Sequence, residues 1–282
     1  MKIIIAEHFG MCFGVRDALQ EAERLAQAGP LTILGQLVHN PVVRERLTER
    51  GVLEGDINAA GTAQSRQVMI TAHGASNSAR LAWERAGFAV ADGSCPLVRH
   101  AHKQLRSLVQ RGYFPVVIGR RGHVEVQGLI GDFPDAVVIE QSDEIGELPE
   151  GENRFGIISQ TTQPIEHVER IVDALRQARP QAEVKFCDTV CQPTKNRQIA
   201  LQQLLATCDT IVVVGGRDSN NTRQLVEAAR AAGRKVRHIE RADELCAEWF
   251  CGAENVGLTA GTSTLKETVS AVHERLLAIA AA

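Results

Sequence analysis

Extended apolar runs and helical apolar stripes alternate along this chain, and the alternation is written three times. The runs IIIAEHFGMC, FAVADGSC and VKFCDTVC lead into Cys12, Cys95 and Cys191. After each cysteine the apolar positions switch to a helical period. They are Val15, Ala18, Leu19, Ala22 and Leu25 after the first, Val98, Ala101, Leu105 and Leu108 after the second, and Leu201, Leu204, Leu205 and Cys208 after the third. A second apolar run follows in every unit, at 31–34, 116–118 and 211–214, and empties into a polar loop. Those loops carry His39-Asn40, His123-Val124-Glu125 and Ser219-Asn220-Asn221, with His39, His123 and Ser219 standing 27, 28 and 28 positions after their cysteines. A third run ends in ITAHGAS with His73, ISQTTQP with Thr161 and LTAGTST with Ser263.

Three copies of one order, about 90 residues apart, predict an α/β protein of three pseudo-repeated small lobes, each with a parallel sheet flanked by helices. The lobes should span 13–95, 96–190 and 191–282, with the N-terminal strand 1–12 packed near the third. The polar stretches 51–67 and 147–154 read as surface connections inside lobes, not as boundaries.

Composition narrows the function class. A net charge of −3 over 282 residues, with no basic stripe, argues against a nucleic-acid partner. No apolar run approaches the ~20 residues that a membrane span needs. The opening MKIIIAEH has too short an apolar core for a signal peptide, so a cytoplasmic location with reduced thiols is expected. Seven cysteines then read as ligands or buried thiols rather than disulfides. Cys208 lies on an apolar helix stripe and Cys246 and Cys251 flank Trp249-Phe250, which suits small buried hydrophobes.

The other three cysteines each sit where a helix begins. That placement favours a thiolate through free amides and the helix dipole, and Pro96 after Cys95 suits a first helical position. Soft sulfur donors select zinc, copper(I) or iron–sulfur clusters. Structural zinc would show matched close pairs, whereas the tight pairs Cys187/Cys191 and Cys246/Cys251 have no partners. A [4Fe–4S] cube takes four cysteines, so three would leave one iron open to substrate. His39, His73, His123, Ser219, Asn221 and Ser263 supply N–H and O–H donors suited to phosphate oxygens. His8, His100, His102, His167, His238 and His273 fall outside the repeat and read as structural. Neither a Walker loop nor a dinucleotide fingerprint is present, and Gly215-Gly216 and Gly119-Arg120-Arg121-Gly122 are too short to count. A zinc hydrolase using the same histidines and Glu125, and a non-enzymatic iron–sulfur sensor, remain as rival readings.

Nine stretches carry a resemblance: GMCFGV (10–15), VHN (38–40), AHG (72–74), CPLV (95–98), GHVEV (122–126), SQTTQ (159–163), VCQPTKNRQ (190–198), SNNTR (219–223) and TAGTS (259–263). In these the chain resembles the 4-hydroxy-3-methylbut-2-enyl diphosphate reductases, the IspH/LytB family, in order and along essentially its full length. The resemblance implies three α/β lobes around a central [4Fe–4S] cluster ligated by Cys12, Cys95 and Cys191, with one iron open to substrate. It implies that His39, His73, His123, Ser219, Asn221 and Ser263 bind the diphosphate, with Asn220 at a neighbouring position. Glu125 would belong to proton delivery and Thr161 would help hold the substrate hydroxyl. The implied reaction is reductive loss of that hydroxyl to give isopentenyl and dimethylallyl diphosphates, the last step of the non-mevalonate isoprenoid pathway. A ferredoxin or flavodoxin would supply the electrons, and the enzyme would be a monomer or homodimer. Val124, Gly93-Ser94, Asp17 and Thr262 depart from the common family pattern. They leave room for a diverged paralogue that reduces another phosphorylated substrate.

Overall fold

The structure, a computed structural model, describes residues 1–281. Strands and helices alternate throughout. The chain begins β1 (Lys2–Ile5), α1 (Phe13–Ala28), β2 (Leu31–Leu34), α2 (Pro41–Thr48), β3 (Leu53–Gly55), β4 (Gln67–Ile70), α3 (Asn77–Arg85) and β5 (Ala89–Asp92). It continues α4 (Pro96–Gln110), β6 (Phe114–Ile118), α5 (Val124–Ile130), β7 (Val137–Ile139), β8 (Arg154–Ser159), α6 (Ile165–Ala178) and β9 (Glu183–Phe186). The last stretch is α7 (Gln192–Thr207), β10 (Thr210–Val214), α8 (Asn220–Ala231), β11 (Lys235–Ile239), β12 (Asn255–Ala260) and α9 (Lys266–Ala281).

These strands form three four-stranded sheets with one topology: β5-β4-β2-β3, β9-β8-β6-β7 and β1-β12-β10-β11. Every described pairing is parallel, as the helical crossovers require. The three lobes of parallel α/β structure that the repeat predicts are therefore present. The strand that leads into a cysteine lies at a sheet edge each time. In the third sheet that place is held by β1, whose Lys2 to Ile5 pair with Asn255 to Leu258.

The opposite edge strands, β3, β7 and β11, were not legible as strands. β3 is three residues, Leu-Glu-Gly, with no buried position, so it carries no apolar signal. It falls inside the 51–67 stretch expected to be a mere surface connection. The central strands carry the opposite signature: β10 (TIVVV) is buried at all five positions, as expected for a parallel strand covered on both faces.

The predicted helical stripes face the cores. Val98, Ala101, Leu105 and Leu108 of α4 are buried, as are Leu201, Leu204 and Leu205 of α7. At about 1.5–3 kcal/mol for each fully buried large aliphatic side chain, these stripes, more than helix propensity, hold the helices on their sheets. Cys208 is buried in the core beside Leu204 and Ile211, as its stripe predicts. Cys246 and Cys251 are exposed instead. They flank the short 3₁₀ turn Ala247–Phe250, which turns Phe250 into the core and leaves both thiols outside.

The chain forms two compact units. One comprises Met1–Arg16, Val38–Glu49 and the chain from Gln192 onward, and carries the β1-β12-β10-β11 sheet. The other comprises Asp17–Leu37 and Arg50–Cys191, and carries the remaining two sheets.

Candidate active site

The three repeat cysteines occupy one local setting. Each stands directly before a helix: Cys12 before α1, Cys95 before α4 and Cys191 before α7. Each backbone N–H is anchored to the loop beyond the third strand of its sheet. Cys12 N donates to Thr262 O at 3.0 Å, Cys95 N to Ala72 O at 3.0 Å and Cys191 N to Thr161 O at 2.9 Å. None is in a disulfide, and all three are partly exposed. Cys95 stands at the helix N-cap, and its thiol makes no capping bond. Cys187 differs, packing against the apolar core around Leu105 and Ile158.

These anchors correct the repeat register. Thr161 is equivalent to Ala72 and Thr262, so the counterpart of His73 and Ser263 is Thr162. A second correction concerns the loops after the second strands, which are helix starts. Asn40 caps α2, accepting from Val42 N at 2.9 Å, and His123 caps α5, its Nδ1 accepting from Glu125 N at 3.1 Å. Ser219 caps α8 by accepting from Thr222 N at 3.4 Å. Asn40, His123 and Ser219 all stand 28 positions after their cysteines. Asn40, not His39, is thus the repeat counterpart.

In the unit of residues 17–37 and 50–191, His73, His123, Glu125 and Thr161 come together. The His73 and His123 rings meet edge to face with centroids 5.5 Å apart. Glu125 is 2% exposed, and its Oε1 accepts from Thr161 N at 2.7 Å. Burial disfavours the carboxylate more than this hydrogen bond favours it, so its pKa is pushed up to about 7. A carboxyl with a pKa near neutral can serve as a general acid. His102 is half-buried in the same unit, where the αL residue Gly74 (φ +77°) passes close to its ring. Burial holds its pKa down, in keeping with a structural role.

In the other unit, Asn40 Nδ2 donates to Ser263 O at 2.8 Å, tying the VHN stretch to the TAGTS stretch. Asn221 Oδ1 accepts from Thr262 N at 3.0 Å and fixes the same loop from α8. Ser263 Oγ is buried and has no hydrogen-bond partner among the described residues. Such an orphaned donor carries a desolvation penalty of about 1–3 kcal/mol until a ligand accepts from it. Sequence reasoning missed Gly216, whose dipeptide seemed too short to matter. A Cβ there would overlap the His39 carbonyl, so only glycine lets that backbone pass.

The donor set fits an anionic, thiolate-ligated cluster with an anionic substrate. The helices that start at Cys12, Asn40, Cys95, Cys191 and Ser219 carry no acidic residue in their first turn. Helix α5, which starts after His123, instead carries Glu125 in its first turn. Acidic first turns normally stabilise a helix, so their absence at these five starts leaves the positive dipole ends available to anions.

Known proteins share this arrangement of sequence and fold. The LytB protein family matches residues 3–277. The 4-hydroxy-3-methylbut-2-enyl diphosphate reductase of Geobacter sp. (strain M21) is 36% identical over 284 residues, covering 99% of this chain and 98% of its own. That of Aquifex aeolicus (strain VF5) is 35% identical over 284 residues, covering 98% and 96%. Among solved structures, an (E)-4-hydroxy-3-methyl-but-2-enyl diphosphate reductase described as the terminal enzyme of the non-mevalonate pathway aligns with a TM-score of 0.70 at 33% identity. That alignment spans 99% of this chain and 100% of that one. The E-1-hydroxy-2-methyl-but-2-enyl-4-diphosphate reductase of Plasmodium falciparum aligns with a TM-score of 0.90 over 97% of this chain and 87% of its own; at 24% identity it speaks to the fold.

Proposed function

This chain belongs to the LytB family, and on that premise we propose that it is an iron–sulfur reductase. It removes the hydroxyl of 4-hydroxy-3-methylbut-2-enyl diphosphate to give isopentenyl and dimethylallyl diphosphates, the last step of the non-mevalonate isoprenoid pathway. The observation that carries the reading is Glu125, a buried carboxyl with a pKa of about 7, hydrogen-bonded to Thr161 and adjoining the His123 cap.

Membership of the family implies a metal cofactor. In this proposal it is a [4Fe–4S] cluster held by Cys12, Cys95 and Cys191, which supplies single electrons and a Lewis-acidic iron when bound. The reaction breaks one C–O bond and takes up two electrons and two protons; one proton leaves in water and one ends on carbon. An allylic hydroxyl is a poor leaving group, so Glu125 protonates the departing oxygen, and the backbone around Thr161 holds that carboxyl in place. His39, His73, His123, Ser219, Asn221 and Ser263 bind the diphosphate, with Asn220 beside them at the start of α8. Their grip on the anion converts binding energy into orientation of the hydroxyl end. The electrons come from a ferredoxin or flavodoxin, the protein acts in the cytoplasm, and it does so as a monomer or homodimer. No helix among the described residues is long and apolar enough to cross a membrane.

Anaerobic turnover with the hydroxy-diphosphate and an artificial reductant tests this reading. Isopentenyl and dimethylallyl diphosphates should both appear from a brown protein. A colourless zinc protein, or a brown one whose spectrum ignores the substrate, would overturn it.

A further inference from the structure

The VCQPTKNRQ stretch contains an arginine to which no role has yet fallen. Arg197 lies in α7, six positions after Cys191, and is 5% exposed. One guanidinium nitrogen donates to Gly10 O and the other to Pro193 O at 2.7 Å. Gly10 takes a left-handed conformation (φ +70°), and its N–H donates to Ala260 O at 3.2 Å. The loop from Gly10 to Cys12 is therefore held on two sides. Its N–H groups bind the end of β12 and the loop beyond, while Arg197 binds its carbonyl. Arg197 and Cys12 also line one open pocket of about 260 Å³, together with Glu7, His8 and Asn196.

Burying a guanidinium is costly, and its bonds to the Gly10 and Pro193 carbonyls hold it against the loop that carries Cys12. A thiolate-ligated cluster becomes more negative on reduction, and its potential responds to nearby charge and hydrogen bonding. We propose that Arg197 is a positioning residue for the cluster: it fixes the loop that presents Cys12 and supplies a buried positive charge that favours the reduced state. This rests on the reading that Cys12 ligates a cluster. Lysine would keep the charge but not the fork that reaches two carbonyls.

The test uses the full chain, reconstituted with iron and sulfide without oxygen, as parent, Arg197→Met, Arg197→Lys and the exposed control Arg24→Met. Iron per chain, the rate of iron loss to a chelator and the midpoint potential from an electron-paramagnetic-resonance redox titration are measured. Arg197→Met should shift the one-electron equilibrium at least tenfold toward the oxidised form, about 59 mV. Arg197→Lys should stay within threefold of the parent in that equilibrium but lose iron at least threefold faster, and Arg24→Met should match the parent throughout. An Arg197→Met protein with the parental potential overturns the proposal, whatever its iron content. Should that variant not fold, Arg197→Lys decides: parental iron loss overturns the proposal and accelerated loss at parental potential supports it. A parent that binds no iron would instead sink the functional reading.

Discussion

Replacing Glu125 by glutamine separates a proton-delivering carboxyl from a merely structural one, and its effect on stability follows from burial alone. An ordinary glutamate titrates near 4.5, whereas burial raises Glu125 to about 7 against the opposing pull of the Thr161 N–H. Between those values the unfolded chain has released the proton and the folded chain still holds it, so stability falls as pH rises. The loss begins near pH 4.5, is complete just above 7, and comes to about 3 kcal/mol at roughly 1.4 kcal/mol per pH unit. Below pH 4.5 both states are protonated and the contribution is fully present. Glutamine has no proton to release, and its oxygen still accepts from Thr161 N. Relative to the parent, Glu125→Gln should therefore gain about 3 kcal/mol between pH 4.5 and 7.5. Parallel denaturant titrations of the two proteins at half-unit pH steps measure the difference directly. The same variant should keep its iron and bind the diphosphate, while its maximal rate falls at least ~100-fold, the lower end of what general acid catalysis supplies. Stability curves that run parallel with pH would refute the raised pKa. A near-parental maximal rate would refute proton delivery even with the pKa upheld. A loss that saturating substrate repairs would assign Glu125 to binding through His123 instead.

Three further outcomes are expected. Serine at Cys12, Cys95 or Cys191 should each lower bound iron after anaerobic reconstitution, whereas Cys187→Ser, altering a thiol packed in an apolar core, should retain it; iron analysis decides. His123→Ala should weaken diphosphate binding by about 1.5–3 kcal/mol without emptying the cluster, as loss of a charge-assisted hydrogen bond does, and calorimetric titration with the cluster in place reads this. Gly216→Ala forces a methyl group against the His39 carbonyl and should cost about 1–3 kcal/mol of stability. Gly146→Ala, which meets open space, is its control in the same unfolding experiment.

The sequence exposed the sheet interiors and helix stripes because burial leaves a periodic apolar signal. It hid the outer strands: β3 has no buried position, β11 is mostly half-exposed, and β7, though buried at two of its three positions, is too short to show a period. The same physics explains the two errors of register. His39, His123 and Ser219 align as polar loop residues, but the structure aligns them by which residue ends the loop and caps the helix. Capping is a matter of one side-chain acceptor and one or two backbone N–H groups, so Asn40, His123 and Ser219 perform it without looking alike. Likewise Thr161, Ala72 and Thr262 are equivalent through a carbonyl that binds a cysteine N–H, a role open to any residue.

The correction carries weight for function. At the cap position one lobe has an asparagine, one a histidine and one a serine, and at the place after each cysteine-binding carbonyl the lobes offer His73, Thr162 and Ser263. Two positions repeated three times thus supply six polar side chains from a common frame. Among the described residues, only the lobe that places Glu125 two residues past its cap adds a buried acid. Identical frames with unlike side chains are what an asymmetric substrate demands. A diphosphate needs several donors, and a single leaving hydroxyl needs one proton source. One lobe holds a buried Ser263 hydroxyl with no partner among the described residues, and another a carboxyl, Glu125, whose pKa burial pushes up to about 7. Both cost folding free energy, and in the proposed function a bound diphosphate substrate offsets that cost.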